Sequence, residues 1–206
     1  MTRIVLTRHG HVDGISPERF RGRTELALTS RGIAEAHAVA RRIAGGWSPV
    51  AVYSSPLQRC LTTARFITDA CRCPLEVLEE LNDMNYGQLQ WKSREEASVE
   101  FPQLVSNWFS VPQLARFPGG DSLQELVART STALTTVLSR HARDTVVLVG
   151  HDSVNRALLL QLLDQPLCAF WRLAQAPCGI NEIEILDGHI RVERINETAH
   201  LEHIQA

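Results

Sequence analysis

Three short stretches of this 206-residue chain carry side chains suited to phosphoryl chemistry: Arg8-His9-Gly10-His11, Ser54-Ser55-Pro56-Leu57-Gln58-Arg59 and Gly150-His151-Asp152-Ser153. Guanidinium groups bind phosphoryl oxygens through paired N–H donors and neutralise charge as it redistributes in an in-line displacement. A neutral imidazole can attack phosphorus and carry the phosphoryl group. One histidine as nucleophile and a second as electrostatic partner therefore suffice. The leaving alkoxide needs a proton, which a partly buried carboxyl can give if burial and phosphate charge raise its pKa. Asp83, in the irregular stretch Leu81-Asn82-Asp83-Met84-Asn85-Tyr86-Gly87, is the candidate donor.

The elements that must position these groups are legible as alternating strands and helices. Residues 3–7 form a β-branched run bounded by Gly10, the pattern of a buried strand that ends at His9. Ile33, Ala36, Ala40 and Ile43 recur at helical spacing over 30–44, with Gly45-Gly46 as the stop. A second strand follows at 50–53, then a helix opened by Pro56 with Leu57, Cys60, Leu61, Ala64 and Ile67 on its apolar face. A third strand is expected at 75–78. Residues 82–120 show little regular pattern, several aromatics and prolines at 102, 112 and 118, and read as an irregular cover insertion with short helices near 93–100 and 102–109.

Ser122 and Glu125 make a capping box for a helix over 122–142. Residues 145–149 are a continuous Val/Leu strand of the kind buried on both faces, and the helix at 154–163 is apolar nearly all round. Two alternating runs, 181–186 and 189–195, are joined by Asp187-Gly188, a type I′ hairpin signal, and 196–206 reads as a peripheral tail. The alternation predicts one domain over 1–206: an α/β three-layer α/β/α sandwich with a mainly parallel sheet, right-handed crossovers and a C-terminal antiparallel hairpin. Ligands of such sheets sit outside the carboxyl ends of the strands. Three strand ends would therefore bring Arg8, His9, Arg59 and His151 to one electropositive pocket, with helix N-termini adding N–H donors.

Five ordered blocks carry a resemblance: LTRHG at 6–10, GRTELALTSRG at 22–32, YSSPLQRCLTTA at 53–64, FPGGDS at 117–122 and LVGHDSVNRALL at 148–159. Together they resemble the histidine phosphatase superfamily, also called phosphoglycerate mutase-like. The resemblance implies that His9 becomes a phosphohistidine, that Arg8, Arg59 and His151 form the phosphate pocket, and that Gly10 orients His9 through its carbonyl. Asp152 is counted with the substrate-binding residues, and no metal or other cofactor is implied. The family's donor lies in a Leu-x-Glu-x-x-x-Gly-x-Trp-Glu-Gly-like block, which here runs from Leu81 to Trp91, so Asp83 stands for the usual Glu, with Glu79 or Glu80 as alternatives. The loop after Arg-His-Gly has Val12 and Ile15 where the family usually has Ser/Thr and Asn. Arg21, where a small residue is common, is a candidate to restore the lost anion contact.

His9-Gly10-His11 with Asp13, or His151-Asp152, could hold a metal, but that explains neither Arg8 nor Arg59, and cations beside a metal oppose its binding. His11 reads as a pocket-rim residue, His37 as satisfied beside the first helix, His141 as a helix C-terminal group, and His189, His200 and His203 as surface residues. Trp108, Phe109 and Trp171 read as packing. The five cysteines, odd in number and without a Cys-x-x-Cys pair, read as buried small hydrophobes in a reducing compartment. A net charge of -2 supplies no field for nucleic acid or anionic lipid. No apolar run approaches the ~18 residues of a membrane span, and the N-terminal stretch lacks a secretory pattern. The expectation is a cytoplasmic phosphatase acting on a small-molecule phosphate ester, with no nucleic-acid or membrane partner; an edge strand could support a homodimer. The alternatives are a phosphoglycerate mutase-type phosphotransferase, disfavoured by the modest 82–120 segment, a metal-dependent phosphohydrolase and a catalytically inactive binding module.

Overall fold

A computed structural model describes residues 1–204. Its six strands are β1 (Thr2–Arg8), β2 (Ala51–Ser54), β3 (Leu75–Val77), β4 (Thr145–Gly150), β5 (Ile180–Leu186) and β6 (His189–Glu197). Six helices connect them: α1 (Ser30–Gly46), α2 (Gln58–Cys71), α3 (Arg94–Glu100), α4 (Pro102–Ser110), α5 (Leu123–Arg140) and α6 (Asp152–Leu162). The strand order is β3-β2-β4-β1-β5-β6, in which β1 to β4 run parallel and the terminal hairpin antiparallel.

Alternation along the central strands sorts the core into two layers. Ile4 and Leu6 of β1, with Val146 and Leu148 of β4, face α5, α6 and the cover segment, whereas Val5, Val147 and Val149 face α1 and α2. Both faces are covered, as a parallel sheet requires, and the three-layer α/β/α expectation holds. In the registers, Arg8 pairs with Gly150 and Ser54 with Val149, so the carboxyl ends of β1, β2 and β4 are flush. The chain leaves β1 for α1 on one face and neighbouring β4 for α6 on the other. The two connections part above Arg8 and Gly150 and leave a crevice there.

Several boundaries and burial assignments differ from the sequence reading. Helix α1 runs through Gly45 to Gly46 and stops at Trp47, whose N–H donates to the Ile43 carbonyl at 2.9 Å. Ile33 is exposed while Glu35 is buried, because the Glu35 carboxylate accepts the His11 N–H at 2.7 Å and Arg31 Nε at 2.8 Å. Helix α6 begins at Asp152 with His151 as its N-cap, two residues ahead of the expected start. The Ser122–Glu125 capping box is present, and Ser93 with Glu96 forms a second on α3. Asp187 and Gly188 both have positive φ (51° and 81°), as the type I′ turn demands.

Only Cys60 and Cys178 are buried; Cys71 and Cys73 are half-buried and Cys168 is exposed, a correction to the cysteine reading. His200 is not a surface group: its side chain is 6% exposed and its Nε2 lies 3.0 Å from the Cys178 carbonyl. In the tail read as peripheral, Leu201 packs against the α1 face of the core, and positions 205 and 206 lie outside the described residues. Among the described residues no helix is long and apolar enough to cross a membrane.

Candidate active site

The end of β1 is fixed from two sides: the His9 N–H donates to Gly150 O at 3.1 Å, and the Cys178 N–H donates to Arg8 O at 3.1 Å. His9 is 1% exposed, and its Nδ1 lies 2.7 Å from the carbonyl oxygen of Gly10. A carbonyl can only accept, so Nδ1 carries the proton and the lone pair sits on Nε2. Position 10 tolerates only glycine, because a Cβ there would lie 2.3 Å from Gly32 O at the start of α1. The carbonyl that orients His9 is thus held by direct backbone contact between the first strand's exit and the first helix.

Arg59, near the start of α2, is 0% exposed. Its Nη1 donates to Thr24 O at 2.8 Å and its Nη2 to Gly22 O at 2.6 Å and Asp83 Oδ2 at 3.0 Å, while its Nε lies 3.2 Å from His9 Nε2 and 3.3 Å from His151 Nδ1. One guanidinium therefore touches both imidazoles and the candidate donor. The two rings stand 5.2 Å apart edge to face, and His151 Nε2 lies 2.7 Å from Ser55 Oγ. Burial, followed by the positive charge of Arg59, holds both histidines well below the ordinary imidazole value of 6.5. Both rings are neutral at pH 7, as a nitrogen nucleophile must be.

Asp83 is 7% exposed; its Oδ1 accepts from Ser153 Oγ at 2.5 Å and from Met84 N at 2.8 Å. Arg8 Nη1 donates to Gln175 O at 2.7 Å, and its buried Nε has no partner among the described residues. Asp152 receives Arg156 at 3.1 Å on each oxygen and lies 3.8 Å from Arg8 Nη1. Arg8, His9, Asp83, Asp152 and Ser153 line one cavity with Arg21 beside them, whereas the buried Arg59 and His151 are not among its lining residues and reach it through their contacts with His9 and Asp83. Arg21 donates through Nη1 to Gly14 O, which ties it to the β1–α1 loop.

The family model of the histidine phosphatase superfamily (branch 1) matches residues 4–198. The chain belongs to that superfamily. It is 32% identical over 204 residues to the metal-independent phosphoserine phosphatase of Arabidopsis thaliana, covering 98% of this chain and 84% of that protein. It is 30% identical to the probable phosphoglycerate mutase GpmB of Yersinia pestis over 98% of this chain and 96% of the relative. The structure of Bacillus stearothermophilus YhfR superposes with a TM-score of 0.93 at 25% identity, over 98% of this chain and 100% of that one. This histidine phosphatase is accordingly a phosphoric monoester hydrolase with a phosphoglycerate mutase-like fold.

Several groups in the phosphatase's site escaped the sequence reading. Ser153 on Asp83, Ser55 on His151, and the carbonyls of Gly22 and Thr24 on Arg59 lie inside the motif blocks, but nothing in the blocks assigns them these roles, because hydroxyl and backbone partners are chosen by the fold. Glu18, Arg19, Arg94 and an aromatic wall of Phe20, Tyr86, Trp108, Phe109 and Trp171 complete the cavity. His11 is not at its rim: the ring pairs with Thr29 Oγ1 at 3.0 Å, away from the lining residues. Glu79 and Glu80, the alternative donors, do not line it either. Among the described residues no three His, Cys, Asp or Glu side chains converge as a metal site.

Proposed function

We propose that His9 Nε2 attacks the phosphorus of a small phosphomonoester, with Arg8, Arg59 and His151 holding the phosphoryl oxygens. As the P–N bond forms and the P–O bond breaks, Asp83 gives its proton to the leaving oxygen. Its carboxylate then takes a proton from water as that water attacks phosphorus, and the N–P bonding pair returns to His9. The observation that carries this reading is the Nδ1–H of His9 directed at Gly10 O, which leaves the opposite nitrogen unprotonated, with its lone pair facing the Arg59 guanidinium at 3.2 Å. In EDTA, wild-type protein should turn over an aryl phosphate and yield acid-labile phosphate on the chain. His9→Ala should yield none and lose activity on the order of 10⁴-fold or more; labelling of His9→Ala at the wild-type level would refute the assignment.

The substrate class we favour is a phosphate ester bearing a second negative group, such as phosphoserine, the substrate named for the Arabidopsis relative. Its support here is that Arg21 and Arg94 line the cavity together with Arg8. Mutase action is the second reading, favoured by the Yersinia relative; it requires the phosphoenzyme to be kept from water. Incubation with 3-phosphoglycerate separates the two, since a phosphatase releases inorganic phosphate and a mutase redistributes the ester. The five free thiols support a reducing, cytoplasmic setting.

A further inference from the structure

The segment that carries Asp83 has almost no regular backbone partners. It leaves a 3₁₀ turn at Glu79–Leu81, and the carbonyls of Glu80, Asn82 and Asp83 are all taken by side chains. Arg129, in the second turn of α5, donates through Nη1 to Glu80 O at 2.9 Å and to Asn82 O, and through Nη2 to Asp83 O at 3.3 Å. Arg23, from the β1–α1 loop, donates through Nε to the same Asp83 oxygen at 3.2 Å. Asp121 joins the two: its Oδ2 lies 3.3 Å from Arg23 Nη2, 3.4 Å from Arg129 Nη2 and 3.0 Å from the Asn85 N–H. None of these three side chains touches His9.

We infer that Arg129, locked by Asp121 and Arg23, is a positioning residue that sets the reach of Asp83 toward the leaving oxygen. An aspartate has one methylene between Cα and carboxyl, so its carboxylate follows any displacement of its own backbone almost one for one. The carboxylate's direct partners, Arg59, Ser153 and the Met84 N–H, fix its direction but not where its Cα stands. The clamp acts on the backbone instead, and α5 is a rigid anchor because its N-terminus is closed by the Ser122–Glu125 capping box. Three guanidinium groups thus close on one loop residue: Arg59 on its carboxylate, and Arg23 and Arg129 on its carbonyl.

The inference rests on Asp83 being the proton donor, so the test separates the two claims through leaving-group basicity. Phosphoserine expels an alkoxide that needs a proton; p-nitrophenyl phosphate expels a stable phenolate that does not. The value of kcat/KM reports the steps through formation of the phosphoenzyme. Asp83→Asn should lower it about 10²–10⁴-fold for phosphoserine and far less for the aryl ester. Arg129→Ala should show the same split at smaller size, about 10–100-fold against less than about 3-fold, since ångström-scale misplacement of a reacting group costs that much. Arg129→Lys, which restores a donor without the fork, should recover part of the loss. If Arg129→Ala does not fold by circular dichroism, Asp121→Asn carries the test, because it withdraws the shared charge without loss of volume. An equal fall for both esters, or no fall, in a folded variant overturns the clamp while a split on Asp83→Asn leaves the donor standing. No split on Asp83→Asn overturns the donor, and the clamp with it.

Discussion

The neutrality of His9 has a direct kinetic consequence at the scale of the residue. Because burial and Arg59 hold its pKa well below 6.5, the nucleophile stays unprotonated as pH falls through the range where a free imidazole titrates. Once the substrate's own second phosphate ionisation, at about 6, is divided out, the acid limb of kcat/KM should therefore show no further break near 6.5; an enzyme ionisation left at 6.5 that disappears in no other variant would mean that His9 is solvated. Arg59 offers a second residue-level test. Its fork serves Gly22, Thr24, Asp83 and both imidazoles, an arrangement that a lysine's single ammonium cannot copy. Arg59→Lys should lower kcat/KM on the order of 10²-fold in a folded protein. Arg21→Ala should cost about 10-fold, as loss of one charge-assisted contact does, against no measurable change for the exposed control Arg65→Ala. His9 and Arg59 were legible in sequence because they fall just beyond strand ends that one sheet brings together. Ser55 and Ser153 were not, since a serine's role depends on which acceptor the fold places within 3 Å of it.

At the scale of elements, the strands followed from β-branched runs and the hairpin from Asp187-Gly188, but the glycines in α1 and packed against it divide into two kinds that spacing could not tell apart. Gly10 and Gly32 lie at a backbone contact between the exit of β1 and the start of α1, where a Cβ on Gly32 would sit 2.1 Å from His11 O. Gly45 has open space around its missing Cβ and lies inside the helix it was expected to end. Gly32→Ala should therefore destabilise by about 1–3 kcal/mol through overpacking and lower activity, because α1 must move off the strand that carries His9. Gly45→Ala should stabilise by about 0.5–1 kcal/mol and leave kcat unchanged. Thermal melts and turnover of the two variants check the pair; equal effects would show that the contact at Gly32 is loose. The helix-one face was misassigned for a related reason. Ile33 fits the apolar stripe by spacing, yet the buried position is Glu35, which is drawn inward by the His11 N–H and Arg31. A buried carboxylate satisfied across 24 residues leaves no local trace.

For the whole molecule, placing a phosphoryl site inside the fold carries a cost in stability that pH reveals. His9 and His151 are both neutral and fully enclosed, with folded pKa values well below 6.5, while in the unfolded chain each titrates near 6.5. Above 6.5 neither state binds a proton at these groups and they contribute nothing to the pH dependence. Between 6.5 and their folded values the unfolded chain binds more protons, so stability rises with pH there and is lost as pH falls. Each ring can remove at most about 1.4 kcal/mol per pH unit over that window. His200, also lowered by burial, adds in the same direction. Urea unfolding at pH 7.5, 6.5 and 5.5 should show stability nearly flat over the first step and falling over the second, before most carboxylates titrate. His9→Gln and His151→Gln should each flatten the second step, and the double variant should flatten it further. A wild-type curve whose slope survives both substitutions would place the responsible groups elsewhere, and a rise in stability toward pH 5.5 would contradict the burial of neutral imidazoles on which the nucleophile depends.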